Sequence, residues 1–150
     1  MIIQLSSPFR DCMERALEEA GRRGDQRLGT DHLLLGALHD PRGRTVVGAD
    51  VADARAALDR LDVAALAGVG IETDRAPVGT RRTSRPRWST GAQHVLRESV
   101  RDAKARRVKT IDVDSVLRSL VDRAAPDPVH ELLAELGIDE AEVRARLESG

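Results

Sequence analysis

Sliding the chain along itself by 83 residues lays one half on the other. Phe9, Cys12, Met13, Ala16, Leu17 and Ala20 fall on Ala92, Val95, Leu96, Ser99, Val100 and Ala103. Further on, Leu33, Leu34, Ala37 and Leu38 fall on Val116, Leu117, Leu120 and Val121. Identities are few, but Ser6/Ser89, Ala20/Ala103, Arg23/Arg106, Asp31/Asp114 and Leu34/Leu117 recur without a gap. This is the signature of an internal duplication, in a chain whose 150 residues suit one domain with one core, although two very small domains also fit.

Each half opens with the same rhythm. From Phe9 the apolar residues recur at i, i+3, i+4 and i+7, which predicts an amphipathic helix. Ser6 or Ser7 supplies its cap, Pro8 suits its first turn, and Gly24 stops it. A second helix is expected near Asp31, with Thr30 as N-cap, Asp31 in the first turn where the helix dipole favours a carboxylate, and Leu33, Leu34, Ala37 and Leu38 buried. In the second half Asp127-Pro128 starts a helix through Leu132, Leu133 and Leu136 to Gly137, and Asp139 caps a last one carrying Val143 and Leu147. The first half is thinner: Thr45 to Gly48 forms at most one turn, and Asp50 caps a helix carrying Val51, Ala54, Ala57, Leu58 and Leu61. One Phe, one Trp and no Tyr argue against a large sheet. The expected fold is all-α, with two pseudo-symmetric four-helix repeats packed into one domain: repeat one over 2–67, a linker over 68–88 rich in Gly, Pro, Thr and Arg, and repeat two over 89–148.

Several function classes drop out early. Charged residues make up 33% of the chain and nearly cancel to −1, so nothing draws the whole molecule to nucleic acid or an anionic membrane. No stretch approaches the ~20 apolar residues of a membrane span. The start, MIIQLSSPFRDC, lacks the charged region and long apolar run of a secretory signal, and the single Cys12 cannot form an internal disulfide, so a cytoplasmic setting is expected. His32, His39, His94 and His130 show no i, i+4 pairing and Cys12 has no second thiol, so neither a metal site nor a cofactor is expected.

The stretch GTDHLLLGAL, residues 29–38, places an acid beside a histidine, which raises the question of a catalytic dyad. Neighbouring residues on a helix point about 100° apart and do not face each other. The second half carries Ser115 in place of His32, whereas the acid persists as Asp114. His32 is therefore expected to pack and to hydrogen-bond a neighbouring loop, and the chain is not expected to be an enzyme. Cys12 lies on the apolar stripe as a small core residue, Gly29 reads as a turn and Gly36 as a close-packing position.

Two repeats, each an amphipathic helix followed by a glycine-threonine-acid-histidine turn and a leucine-rich helix, resemble the N-terminal domain of the Clp ATPase chaperones, ClpC above all. GTDHLLLGAL stands where that family has GTEHILLGL, and RALEEAGRRGDQRLGTDH is similar to its first helix and the spacing that follows. The second turn, IDVDSVLRSLV, keeps only Asp114, the spacing and the apolar face, with Asp112 and Val113 in place of glycine and threonine. The resemblance implies a binding module for proteins or peptides that works with the Clp machinery. It also implies two pockets for phosphorylated arginine, whose acids take the guanidinium: here Thr30 and Asp31 in one, Asp114 in the other. An edge made by Ile2, Leu5 and Trp88 corresponds to the family's hydrophobic surface, where adaptors and cyclic peptide antibiotics dock. No GxxxxGK[ST] phosphate loop stands in the chain, so no ATPase motor is expected with it.

The competing reading is a small nucleic-acid-binding helical protein that uses Arg75, Arg81, Arg82, Arg85 and Arg87 of the linker to hold a phosphate backbone. One Trp, no Tyr and a nearly neutral whole weigh against it.

Overall fold

A computed structural model describes residues 3–74 and 86–149 of the chain. Repeat one consists of β1 (Gln4–Leu5), α1 (Ser7–Arg23), β2 (Arg27–Leu28), α2 (Thr30–Leu38), α3 (Pro41–Val47) and α4 (Val51–Gly68). Repeat two consists of β3 (Arg87–Trp88), α5 (Thr90–Ala105), β4 (Thr110–Ile111), α6 (Val113–Val121), α7 (Pro128–Glu135) and α8 (Glu140–Ser149). Ile2 and the linker arginines Arg75, Arg81, Arg82 and Arg85 lie outside the described residues.

The start signals act as their residue types require. The Ser6 hydroxyl accepts from the Phe9 amide at 3.2 Å, and its counterpart Ser89 accepts from Ala92 at 3.0 Å, so both repeats open on the same cap. Gly24 ends α1 in the left-handed region at φ 72°. The position 83 residues later is Arg107, held at φ 57°. A side chain there crowds the backbone by about 1 kcal/mol. Arg107→Gly is therefore expected to stabilise the domain by about that much, seen as a higher urea midpoint at unchanged slope. An unchanged or lower midpoint would show that Arg107 earns its strained backbone through contacts glycine lacks.

At the core are α2 and α6, which touch each other while α1 and α5 cover them. Every residue of α2 from His32 to Leu38 is buried, which explains why this helix is apolar almost all round. Val116, Leu117 and Leu120 supply the matching wall from α6. Gly36 is the close-packing point expected of it: a Cβ there would stand 2.3 Å from the Cys12 carbonyl oxygen. Cys12 is 1% exposed, and burial, with Asp40 a smaller contributor, pushes its thiol up to about 12.

Three features depart from the sequence expectation. The region before Gly48 is a full helix, α3, because Asp40 caps it through the Arg42 amide (2.8 Å) and Pro41 starts it, the same Asp-Pro signal that opens α7. Gly29, not Thr30, is the N-cap of α2. Finally, among the described residues the otherwise helical fold contains two short parallel ladders between the repeats. In one, Gln4 faces Thr110 and Leu5 faces Ile111; in the other, Arg27 faces Arg87 and Leu28 faces Trp88. The 83-residue shift turns each ladder into the other, so the repeats exchange equivalent strands as two subunits of a symmetric dimer would.

Candidate functional site

The Gly-Thr-Asp-His turn is built by the side chain at its end. His32 is 2% exposed, and its Nδ1 accepts the Gly29 amide at 2.9 Å, reaching back over the first turn of α2. The proton must then sit on Nε2, which donates to Asp25 Oδ2 at 2.7 Å in the loop after α1. Both ring nitrogens are occupied and the ring is sealed from solvent. His32 thus packs and ties a loop, as expected.

Asp31 has a different environment. Its Oδ1 is buried without a hydrogen-bond partner among the described residues and stands 3.3 Å from the His32 nitrogen that already accepts from Gly29. Around it lies more negative than positive charge. Arg23 bridges Asp25 (3.4 Å), Asp59 (3.1 Å) and Asp62, one guanidinium among three carboxylates. Burial pushes the Asp62 carboxyl up, and the fields of Asp25, Asp59 and Asp31 add to that against Arg23, the mark of an uncompensated negative field. For Asp25, burial raises the carboxyl but the His32 hydrogen bond and Arg23 outweigh it, holding it below its usual value.

Asp114, the equivalent acid of repeat two, is engaged by the chain itself. Arg42 of α3 donates from Nε to Oδ1 at 3.1 Å and from Nη2 to Oδ2 at 3.0 Å, the two-pronged fit of a guanidinium on a carboxylate. Sequence reasoning missed this pairing because Arg42 and Asp114 are 72 residues apart and α3 was read as a fragment.

Thr30 is engaged within the protein. It is 1% exposed; its hydroxyl donates to Asp127 and accepts from the Val129 amide at 3.1 Å, tying the start of α2 to the start of α7. Leu5 and Trp88 occupy equivalent positions on different ladders, Leu5 exposed on β1 and Trp88 half-buried on β3. Only Trp88 lines the large cleft of about 1070 Å³ beside the second ladder, together with Arg27, Arg87, Gly91 and Arg123.

No group of three or more His, Cys, Asp or Glu side chains among the described residues could hold a metal ion. No helix of the described residues is long and apolar enough to cross a membrane.

Among the described residues, eight helices in two repeats, crossed by exchanged strands and carrying an acid at the start of each central helix, define an internally duplicated all-α domain of the kind found at the head of Clp chaperones. Residues 4–128 match the Clp repeat (R) N-terminal domain, and the chain belongs to that family. Among solved structures it is similar to the N-terminal domain of ClpD from Arabidopsis thaliana, a chaperone associated with the caseinolytic protease, at 20% identity over 97% of this chain and 96% of that one, with a TM-score of 0.73. It is also similar to a protein of a malarial secretion system (17% identity, 97% and 93% covered, TM-score 0.66) and to the Hsp104 N-terminal domain from Candida albicans (13%, 96% and 89%, 0.63). At such identities the likeness establishes the fold. No curated protein matches the chain in sequence.

Proposed function

We propose that the domain is a non-catalytic protein- and peptide-binding module of the Clp type, and that its ligand group is a guanidinium, as in phosphorylated arginine. One observation carries this reading: Asp114 holds the guanidinium of Arg42 with both oxygens, while Asp31, its counterpart, has a buried oxygen with no partner among the described residues and lies near the carboxylates of Asp25, Asp59 and Asp62. The same turn that binds an arginine of the chain in repeat two has, in repeat one, an acid that no arginine among the described residues pairs with. A free, buried thiol suits a reducing cytoplasm, where we place the protein.

On this reading the domain takes one ligand, not two. Titration of the isotopically labelled domain with free phosphoarginine is expected to move the amide signals of Gly29 to His32 and to leave those around Asp114 in place. Asp31→Ala abolishes the shifts, and Arg42→Ala opens the second site to the same ligand. No movement near Asp31 at millimolar phosphoarginine would overturn the ligand assignment.

A further inference from the structure

The two ladders are equivalent by the repeat symmetry, yet their surfaces differ in charge, and the symmetry provides an internal control. Where the first ladder pairs Gln4 with Thr110, the second pairs Arg27 with Arg87, two cations facing each other on adjacent strands. Neighbouring strands lie ~4.8 Å apart, and like charges at such a register pair repel. Neither arginine has an ion pair among the described residues. The fold does not require this arrangement, since the equivalent ladder forms with two uncharged side chains.

Both arginines line the cleft of about 1070 Å³, whose one carboxylate among the described residues, Asp127, is taken up by Arg123 and Thr30, so Arg27 and Arg87 leave the wall net positive. Arg123 enters it, held by Asp127 at 2.9 Å. The first amides of α5, at Thr90 and Gly91, also border it, and the 16-residue helix directs its positive end there. Trp88 supplies an apolar wall beside Arg87, where the first ladder has the smaller Leu5.

We infer that this cleft binds an acidic peptide segment of a protein partner, with two carboxylates on Arg27 and Arg87 and an apolar side chain on Trp88. Paired carboxylates relieve the repulsion between the arginines through charge-assisted, two-pronged hydrogen bonds. Asp25 stands two residues before Arg27. A nucleic-acid backbone running past β2 would meet that carboxylate and its neighbours Asp59 and Asp62, whereas a short peptide stays within the cleft. The inference goes beyond the guanidinium site at Asp31 and involves the opposite charge.

The chain's one tryptophan makes the test direct, because all indole emission comes from Trp88. At low salt, a blocked peptide of glutamates flanking one leucine is expected to shift that emission saturably. The affinity falls at higher salt. In the double variant Arg27→Gln, Arg87→Gln it is expected to drop at least about tenfold, with helical content retained. A lysine peptide of the same length gives no shift. Three results would overturn the inference: no emission change at millimolar acidic peptide, equal affinity in the double variant, or tighter binding of an oligothymidine than of the acidic peptide. Phosphoarginine is read from amides at Asp31 and the acidic peptide from Trp88, so failure of one leaves the other standing.

Discussion

Gly36→Ala is expected to destabilise the domain by about 3 kcal/mol, and Gly36→Val to prevent folding. The added Cβ would sit 2.3 Å from the Cys12 carbonyl oxygen and 3.1 Å from Ala16 Cβ and amide nitrogen, so the obstacle is mostly backbone rather than a side chain that could turn away. Relief would require α1 and α2 to separate. That movement would open the core where Cys12, Ala16, Leu33 and Leu35 are each at most 1% exposed. For a domain of this size such a loss lowers the melting temperature by about 6–12 °C. Gly21 provides the contrast: it lies within α1 with nothing in contact range of an added Cβ, so Gly21→Ala is expected to raise stability by about 0.5–1 kcal/mol. Equal melting temperatures for wild type and Gly36→Ala would refute the close-approach argument.

Removing Arg55 is expected to cost about 3 kcal/mol at neutral pH. Its guanidinium meets both oxygens of Glu19, at 3.2 and 3.1 Å from Nε, while His39 Nε2 lies 3.1 Å from Oε1. Glu19 is 2% exposed on α1, and without Arg55 its buried charge would keep only His39 as a partner among the described residues. The figure sits at the low end for a broken buried pair, because the Arg55 side chain is about a third exposed and water can partly replace it. The pH dependence separates this cause from simple loss of packing. Burial raises the Glu19 carboxyl, but the hydrogen bonds and charges of Arg55 and His39 outweigh it and hold it below its usual value. A carboxyl lowered in the folded state contributes stability that is complete above its unfolded value, ~4.3, and is lost as pH falls through the folded one. In Arg55→Ala burial dominates and the carboxyl moves up, so this variant gains relative stability as Glu19 takes a proton. The gap between wild type and Arg55→Ala in urea unfolding should therefore narrow from pH 7 to pH 4. A gap of constant size would assign the loss to packing alone.

Much of this architecture was legible as pattern. The 83-residue shift proposed from apolar positions reappears in the strands: it carries the Gln4–Thr110 and Leu5–Ile111 pairs onto Arg87–Arg27 and Trp88–Leu28. The caps at Ser6, Asp50, Asp127 and Asp139 were readable because a cap depends only on residues up to three positions away. The ladders themselves were not, since two residues are too few to show alternation. Helix α3 was missed although Asp40-Pro41 carries the signal that revealed α7. Thr30 has a residue type that caps helices, but its hydroxyl is drawn across the repeat junction to Asp127 and Val129, and His32 stabilises the turn in its place.

The sequence by itself determined the duplication, the helical class, the family and the two acids at the starts of the central helices, because periodicity, capping and motif spacing are local properties of the chain. Only the tertiary structure decided how those acids differ. Asp114 is paired because α3 brings Arg42 to it from 72 residues away, whereas Asp31 keeps an oxygen without a partner among the described residues, and Arg23 is shared among Asp25, Asp59 and Asp62. Likewise Arg27 and Arg87 stand far apart along the chain, Arg87 among the linker arginines, and become a facing pair only when the repeats exchange strands. Charge acts through space, and its partners are set by packing rather than by order along the chain.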